Sequence, residues 1–363
     1  MNIDNVYAAF GLSGTLKSLE NVKNGNINNT YKAVFSENGA DNPYVLQRIN
    51  SYVFKNPADI MHNIDMITTH IKQRYADQGL DSDRAVLDFL PTVDGKKYFI
   101  DDEQSFWRCC HFIKNSVTYN LSSDLKVLRN VGEAFGRFQL MLSDFNAEEL
   151  REIIPDFHNT KKRLDTFFND VDLDPVGRVA EVEKETAFLS EKRAITSRLS
   201  QMLEKGAIPL RVTHNDTKCN NVLFDADTKE PLVVIDLDTV MPGLVAHDFG
   251  DGVRFAANSA DEDETDISKV QLDLDKYEAF TKGFIKTVAP ILTPIEIDTM
   301  ALGAITITVE LASRFLDDYI TGDKYFKIKY PEHNLVRARC QIALAQDMER
   351  KFDAMNQIVR SYV

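Results

Sequence analysis

The 363-residue chain contains no apolar run long enough to cross a bilayer and no cluster of basic residues. The first absence excludes membrane-spanning helices. Lys and Arg number 42 against 56 Asp and Glu, a formal net charge of −14, so nucleic acid and anionic membrane surfaces are not expected partners. Cysteine is sparse: Cys109, Cys110, Cys219 and Cys340 lack zinc-ligand spacing, and reduced thiols in a bacterial-type cytoplasm are expected. On a strand, Cys109 and Cys110 would point to opposite faces. The segment Met1 to Val6 has neither a charged n-region nor an apolar h-region, so secretion by a signal peptide is not expected. There is no internal repeat, and the short acidic run Asp261 to Asp266 reads as a solvated loop. What the chain does have is 44% hydrophobic composition, enough for a large core divided between two lobes. A monomer is compatible with this composition.

The most informative stretch is His214-Asn215-Asp216-Thr217-Lys218-Cys219-Asn220-Asn221, followed by Val233-Val234-Ile235-Asp236. Asp216 is a candidate general base, and Asn221 and Asp236 offer two hard oxygen ligands for Mg2+. Such a set serves phosphoryl transfer from ATP, where the protein mainly positions an acceptor hydroxyl, a metal and a triphosphate. Arg211 to Thr213 and Asn221 to Phe224 read as short strands, Asp225 to Pro231 as a turn, and Leu232 to Ile235 as the returning strand. Asp248-Phe249-Gly250 spells the metal-binding tripeptide of protein kinases, but it comes after a turn-rich connection instead of a buried strand. Asp248 is therefore read as a structural acceptor or helix cap near the site in preference to a direct metal ligand. Asp238 lies two residues beyond Asp236, on the same face if the strand continues, and is either a second acidic partner or a solvated carboxylate.

The first hundred or so residues alternate strand signals with one helix, and the remainder is mostly helical around this hairpin. That is an α+β layout of the bilobal protein-kinase-like kind, with a β-rich nucleotide-binding lobe over 1–114 and a mainly helical catalytic and substrate lobe over 115–363. Gly25, Asn26 and Asn28 lie in a polar turn between strand-like runs at Leu19 to Val22 and Tyr31 to Phe35, a candidate phosphate-facing loop. The strand Tyr44 to Ile49 lacks the lysine that a kinase keeps for the α- and β-phosphates, leaving Gln47 or Arg48 to replace it, one on each face.

Asn56 and Pro57 predict a helix start, Ile60, Ile64, Ile67 and Ile71 form its apolar stripe, and Gly79 lies past its end. Asp65 sits mid-helix, where an acid bracing the phosphate-binding residue would lie. The apolar run Ser105 to Asn115 reads as a buried strand leading into a hinge, so Phe112 and Ile113 are expected beside adenine. Near the C-terminus, Thr293-Pro294-Ile295-Glu296 is a capping box that opens a helix to about Tyr319. Glu310, Arg314 and Asp318 stand four apart on it, the spacing of an ion-pair ladder. His333 and Arg337 fall in a region rich in aromatic, amide and cationic groups, read either as a helix connection or as a surface for a neutral polar ligand.

The motifs His214-Asn215-Asp216, Asn221 and Ile235-Asp236 resemble those of the aminoglycoside phosphotransferase and choline kinase superfamily. The longer blocks Leu210 to Lys218, Ile235 to Gly243, Asp248 to Asp251 and Lys329 to Arg337 look like those of its N-acetylhexosamine 1-kinases, over nearly the whole chain. The resemblance implies ATP and Mg2+ as cofactors and a small-molecule sugar, N-acetylglucosamine or N-acetylgalactosamine, converted to its 1-phosphate. It implies Asp216 as catalytic base, Asn221 and Asp236 as magnesium ligands, and Asp238 and Arg314 as acceptor-pocket residues. Asn26 and Arg48 are departures within this resemblance, standing where a related enzyme of that kind has His and a second Gln.

Overall fold

A computed structural model describes residues 3–22, 27–120 and 123–363. In chain order its first elements are α1 (Ile3–Ala9), β1 (Thr15–Val22), β2 (Asn29–Glu37), β3 (Ala40–Ile49), α2 (Pro57–Asp77), β4 (Phe99–Ile100), β5 (Phe106–His111), β6 (Ser116–Val117) and α3 (Leu125–Met141). Next come α4 (Thr160–Leu173), α5 (Glu183–Thr196), α6 (Arg198–Glu204), β7 (Arg211–Thr213), β8 (Val222–Asp225), β9 (Pro231–Val234) and β10 (Met241–Gly243). The last elements are α7 (Val245–Ala256), α8 (Leu274–Val288), α9 (Pro294–Asp298), α10 (Met300–Ile320), α11 (His333–Arg350) and α12 (Phe352–Arg360). Among the described residues, no helix is long and apolar enough to cross a membrane.

Two compact units result. The first comprises 1–117, 145–154 and 223–241, and the second 118–144, 155–222 and 242–363. The first is built on an antiparallel sheet ordered β1-β2-β3-β5-β4. Asn38 and Gly39, with φ of 52° and 79°, link the paired ends Glu37 and Ala40; positive φ at both central residues marks the tight turn that suits the twist of a hairpin. Strand alternation puts Ala33, Phe35, Leu46, Trp107 and Cys109 into one core with Val6, Tyr7 and Phe10 from α1 and its C-terminal end. Thr30, Gln47 and Arg108 stand side by side on the opposite face, as their pairing requires. Both faces of β5 are covered, so Cys109 and Cys110 are both buried, and all four cysteines are free thiols.

The α2 stripe is buried as its spacing predicts, Pro57 opens the helix, and Gly79 beyond its end has φ 68°. Asn56 departs from expectation. Its side chain makes no cap, because its amide donates to Asp59 instead. Fully buried Asn63 donates to the carbonyls of Arg151 and Val240 at 2.8 and 2.9 Å and accepts from Arg151 N at 2.9 Å, joining both later segments to the first unit.

In the second unit α10 is buried along nearly its whole length. The capping box at Thr293 is present, but the long helix expected from it is interrupted at Thr299. Arg211 holds Glu296 at 2.6 and 2.9 Å and the Thr299 hydroxyl donates to the Glu296 carbonyl, so the short α9 closes on itself before α10 begins. The ion-pair ladder on α10 is also absent. Glu310 accepts from Thr160 at 2.6 Å and bonds His158 at 2.8 Å, whereas Asp318 accepts from the backbone of Lys324, Tyr325 and Phe326, each at 2.8 Å. The acidic run likewise is not simply solvated: Glu262 pairs with Arg254 and Asp263 with Lys329.

Where α4 meets α10, burial pushes the Asp317 carboxyl up to about 7, helped by Asp170 and Asp318 and opposed by Arg163. The folded chain then holds a proton that the unfolded chain, near 3.8, has already lost, so stability falls as pH rises from about 4 to 7. Asp317→Asn is expected to flatten that dependence and to raise Tm relative to wild type at pH 8. Thermal melts of both proteins between pH 4 and 8 check this, and parallel curves would contradict it.

Candidate active site

The motif loop between β7 and β8 is shaped by backbone capture. Buried Asp248, on α7, accepts from His214 N at 2.9 Å, Asn215 N at 2.7 Å and the Gln139 amide at 2.6 Å. Burial pushes its carboxyl upward while these donors, together with His214, oppose the shift; donors on both oxygens are the geometry of an accepting carboxylate. One turn on, Asp251 accepts from Thr217 N at 2.9 Å, and the Thr217 hydroxyl donates to the Asp248 carbonyl at 2.6 Å. Burial would raise the Asp251 carboxyl, but Arg254 and Lys218 outweigh it and hold it low. Asn215, between these anchors, has φ 63°, a left-handed conformation that Asn tolerates better than most residues.

Asp216 emerges from this pinned loop half-buried. Its Oδ1 meets Lys218 Nζ at 2.6 Å, and its Oδ2 accepts from Asn221 Nδ2 at 3.0 Å. The Asn221 amide also donates to the Asp216 carbonyl at 2.9 Å. With its nitrogen so engaged, Asn221 has a carbonyl oxygen for a hard cation. Among the described residues no three His, Cys, Asp or Glu side chains gather as an all-protein metal cage. One or two protein oxygens completed by phosphates and water is the arrangement Mg2+ prefers, so the donor set fits that ion.

In the first unit, Asp236 comes two residues after the end of β9 with φ 60°, a strained conformation for a residue other than Gly. The strand stops there and a 3-10 turn, Leu237–Thr239, takes over. Asp238 is thereby turned inward and does not share a strand face with Asp236. It is 3% exposed, with Oδ1 on Arg108 Nη1 at 2.5 Å and Oδ2 on Asn28 Nδ2 at 2.6 Å.

The phosphotransferase enzyme family (APH) model matches residues 18–280. The chain belongs to that family. Among solved structures, a microcompartment-associated aminopropanol kinase shares 15% identity with this phosphotransferase at TM-score 0.62, covering 97% of each chain. Choline kinase from Cryptosporidium parvum Iowa II shares 11% at TM-score 0.55, covering 95% of this chain and 92% of its own. A spectinomycin phosphotransferase in complex with ADP and spectinomycin shares 13% at TM-score 0.54, covering 99% and 97%. At these identities the likeness is one of fold: the α+β, kinase-like fold of the aminoglycoside phosphotransferases.

The remaining expected residues fall at several places in the phosphotransferase. Gly25 and Asn26 lie outside the described residues. Asn28 latches Asp238 and accepts from Asn50 N at 3.0 Å. Gln47 donates to Thr30 at 3.1 Å and accepts from Arg108 at 2.8 Å, whereas Arg48 is on the other face; burial would raise the Asp101 carboxyl there, but hydrogen bonds from Trp107, Ser105 N and Glu103 N hold it low, with a smaller contribution from Arg48. Asp65 braces neither of them and instead stands 3.6 Å from Lys97. Phe112 donates its N–H to the Pro43 carbonyl and lies under the Lys32 ammonium, and the Ile113 carbonyl accepts from Ser116 at 2.7 Å.

In the second unit, Arg314 lies over the rings of Phe157, Tyr325 and Phe326, 5.5 to 5.8 Å from their centroids. His333 and Arg337 correct the expectation of a ligand surface. The His333 ring is fully buried against Asp263 at 3.0 Å, and it accepts from Lys329 N at 3.2 Å. Arg337 stacks on Phe315 and donates to the Lys327 carbonyl. Both hold the loop before α11.

Residues not singled out from the sequence include Arg108, Asp251, Gln139 and Lys218. Only Lys218 carried a local signal, two places after Asp216. Removing the hub at Asp248 leaves three buried donors without an acceptor, so Asp248→Ala is expected to cost about 3 kcal/mol or more of stability. Urea unfolding measures it, and a midpoint equal to wild type would be inconsistent with the hub.

Proposed function

We propose that this phosphotransferase moves the γ-phosphoryl group of ATP to the anomeric hydroxyl of an N-acetylhexosamine, giving the sugar 1-phosphate. The observation that carries the transfer chemistry is the Asp216 carboxylate, aimed by Lys218 and Asn221 on a loop whose backbone is fixed by Asp248 and Asp251. An acceptor hydroxyl donates a hydrogen bond to Asp216 and attacks phosphorus, and the proton passes to the carboxylate as the bond to the β,γ-bridging oxygen breaks. Asn221 and Asp236 are the residues to hold Mg2+, which when bound offsets charge on the β- and γ-phosphates. Asp216, flanked by a cation, orients the hydroxyl more than it abstracts the proton early.

For the acceptor, the support is the Arg314 guanidinium on three aromatic rings with Arg163 nearby, whose own guanidinium is lowered by burial and by Arg314. Two guanidinium groups disfavour a cationic amino alcohol, and aromatic faces beside a strong donor suit a neutral polyol. The resemblance of the longer blocks names the sugar. Asp238, His333 and Arg337 are assigned structural work instead of acceptor contact.

The test is ADP release across N-acetylhexosamines, hexoses, choline, aminopropanol and spectinomycin, with mild acid treatment of the product afterwards. An anomeric phosphate is acid-labile; an acid-stable ester, or turnover confined to the amino compounds, would replace the sugar reading with the amino alcohol or aminoglycoside one. Asp216→Asn keeps the size and removes the basicity, and its kcat is expected to fall to about a hundredth of wild type or lower. Asp236→Ala is expected to abolish Mg2+-dependent turnover, and an unchanged metal dependence would remove Asp236 from the ligand set.

A further inference from the structure

A network of hydrogen bonds lying wholly in the first unit surrounds Asp238 and takes no direct part in the phosphoryl transfer. Both oxygens of that carboxylate are engaged, Oδ1 by Arg108 Nη1 at 2.5 Å and Oδ2 by Asn28 Nδ2 at 2.6 Å. Arg108 also donates Nε–H to Gln47 at 2.8 Å, and Gln47 donates to Thr30 at 3.1 Å, so the sheet itself fixes the guanidinium. Asn28 accepts from Asn50 N at 3.0 Å, and the Asn50 amide donates to the Ile27 carbonyl at 3.4 Å. One carboxylate therefore ties Ile27 and Asn28, at the end of the polar turn before β2, to the segment that carries Asp236.

The Arg108 and Asp238 side chains are both buried, and two charges withdrawn from water gain little net stability over an apolar pair of similar volume. Packing alone does not account for them. What a buried guanidinium and carboxylate do supply is direction, because each bond fixes an orientation as well as a distance. Asp236, two residues before Asp238, has φ 60°, a conformation that persists only where its surroundings impose it. On one side of it β9 ends at Val234; on the other, Asp238 is clamped and the Val240 carbonyl accepts from Asn63 at 2.9 Å. With both sides held, the link through Asp236 has little freedom, and its carboxylate is aimed.

We infer that Arg108 and Asn28 are positioning residues for the metal-binding carboxylate of Asp236, acting through Asp238. Neither touches the reacting atoms. Asn28 gives the clamp a second consequence, because it belongs to the polar turn as well as to the Asp238 network. Nucleotide phosphates at that turn and a divalent cation at Asp236 bias the same carboxylate, so each tightens the binding of the other, and by the same factor. This rests on the reading of Asp236 as a Mg2+ ligand and of the turn as phosphate-facing.

The experiment measures ADP binding by calorimetry, without metal and with saturating Mn2+, for wild type, Asn28→Ala, Arg108→Lys and Ile64→Val. The ratio of the two ADP affinities is the coupling to the metal. In Asn28→Ala and Arg108→Lys that ratio is expected to fall about tenfold or more, the loss typical when the partners that orient a metal ligand are removed. Ile64→Val, which trims a fully buried side chain of α2 outside the clamp, controls for general loss of stability and should keep the wild-type ratio. Asn28→Ala keeps the ion pair, so it decides the matter if Arg108→Lys does not fold. A wild-type ratio in folded Asn28→Ala would overturn the inference, as would an equal fall in Ile64→Val or a wild-type ADP affinity indifferent to Mn2+. If wild type turned over no N-acetylhexosamine, the function reading would fail, while the ADP and Mn2+ measurements, which need no acceptor, would still decide the role of the clamp.

Discussion

The buried carboxylate of Asp248 is the interaction on which the rest of the site depends. A loop carrying polar residues toward a reacting centre leaves backbone N–H groups without helix or sheet partners, and in a buried place each unmet donor is costly. Asp248 meets two consecutive N–H groups and a glutamine amide at once. Asp251 repeats the device three residues on, so one face of α7 dictates the path of the chain from His214 to Thr217. The Asp216 carboxylate can then be partly exposed without being loose.

This arrangement requires α7 to lie deep, and packing explains how it does. A side chain at Gly250 would approach the Gly303 carbonyl to 2.5 Å, and one at Gly303 the Ala246 carbonyl to 2.1 Å. Real Cβ atoms do not come that near, so α7 and α10 touch backbone to backbone only because both positions are glycine. The Asp248 side chain is itself only 1% exposed. Desolvation that would be unfavourable for a lone carboxylate is offset because every donor facing it is aligned in advance.

Periodicity and local chemistry made a large part of the fold legible in the sequence. The α2 stripe, the Thr293 capping box, the β5 strand and the structural character of Asp248 all rest on near neighbours in the chain, and the fold class came from them. What escaped depended on partners far away in sequence. Asp238 could be placed beside Asp236 only if the strand continued, and its burial comes from Arg108, 130 residues earlier. His333 looked like a binding residue because its true partner, Asp263, lay 70 residues away in a run that read as solvated. Thr299 interrupts an apparently continuous helix because Arg211 captures Glu296 from a distant strand.

Helix α10 separates two tasks that side chains at helical spacing usually share. Glu310 and Asp318 are both committed inward, one to His158 and Thr160, the other to three successive backbone N–H groups of the loop bearing Tyr325 and Phe326. Arg314 sits midway between them and rests on aromatic faces. The rings are thus preset by residues that never touch them. The frame that presents Arg314 is therefore held by contacts other than its own, so the side chain at position 314 can be exchanged while the hydrogen bonds of Glu310 and Asp318 persist.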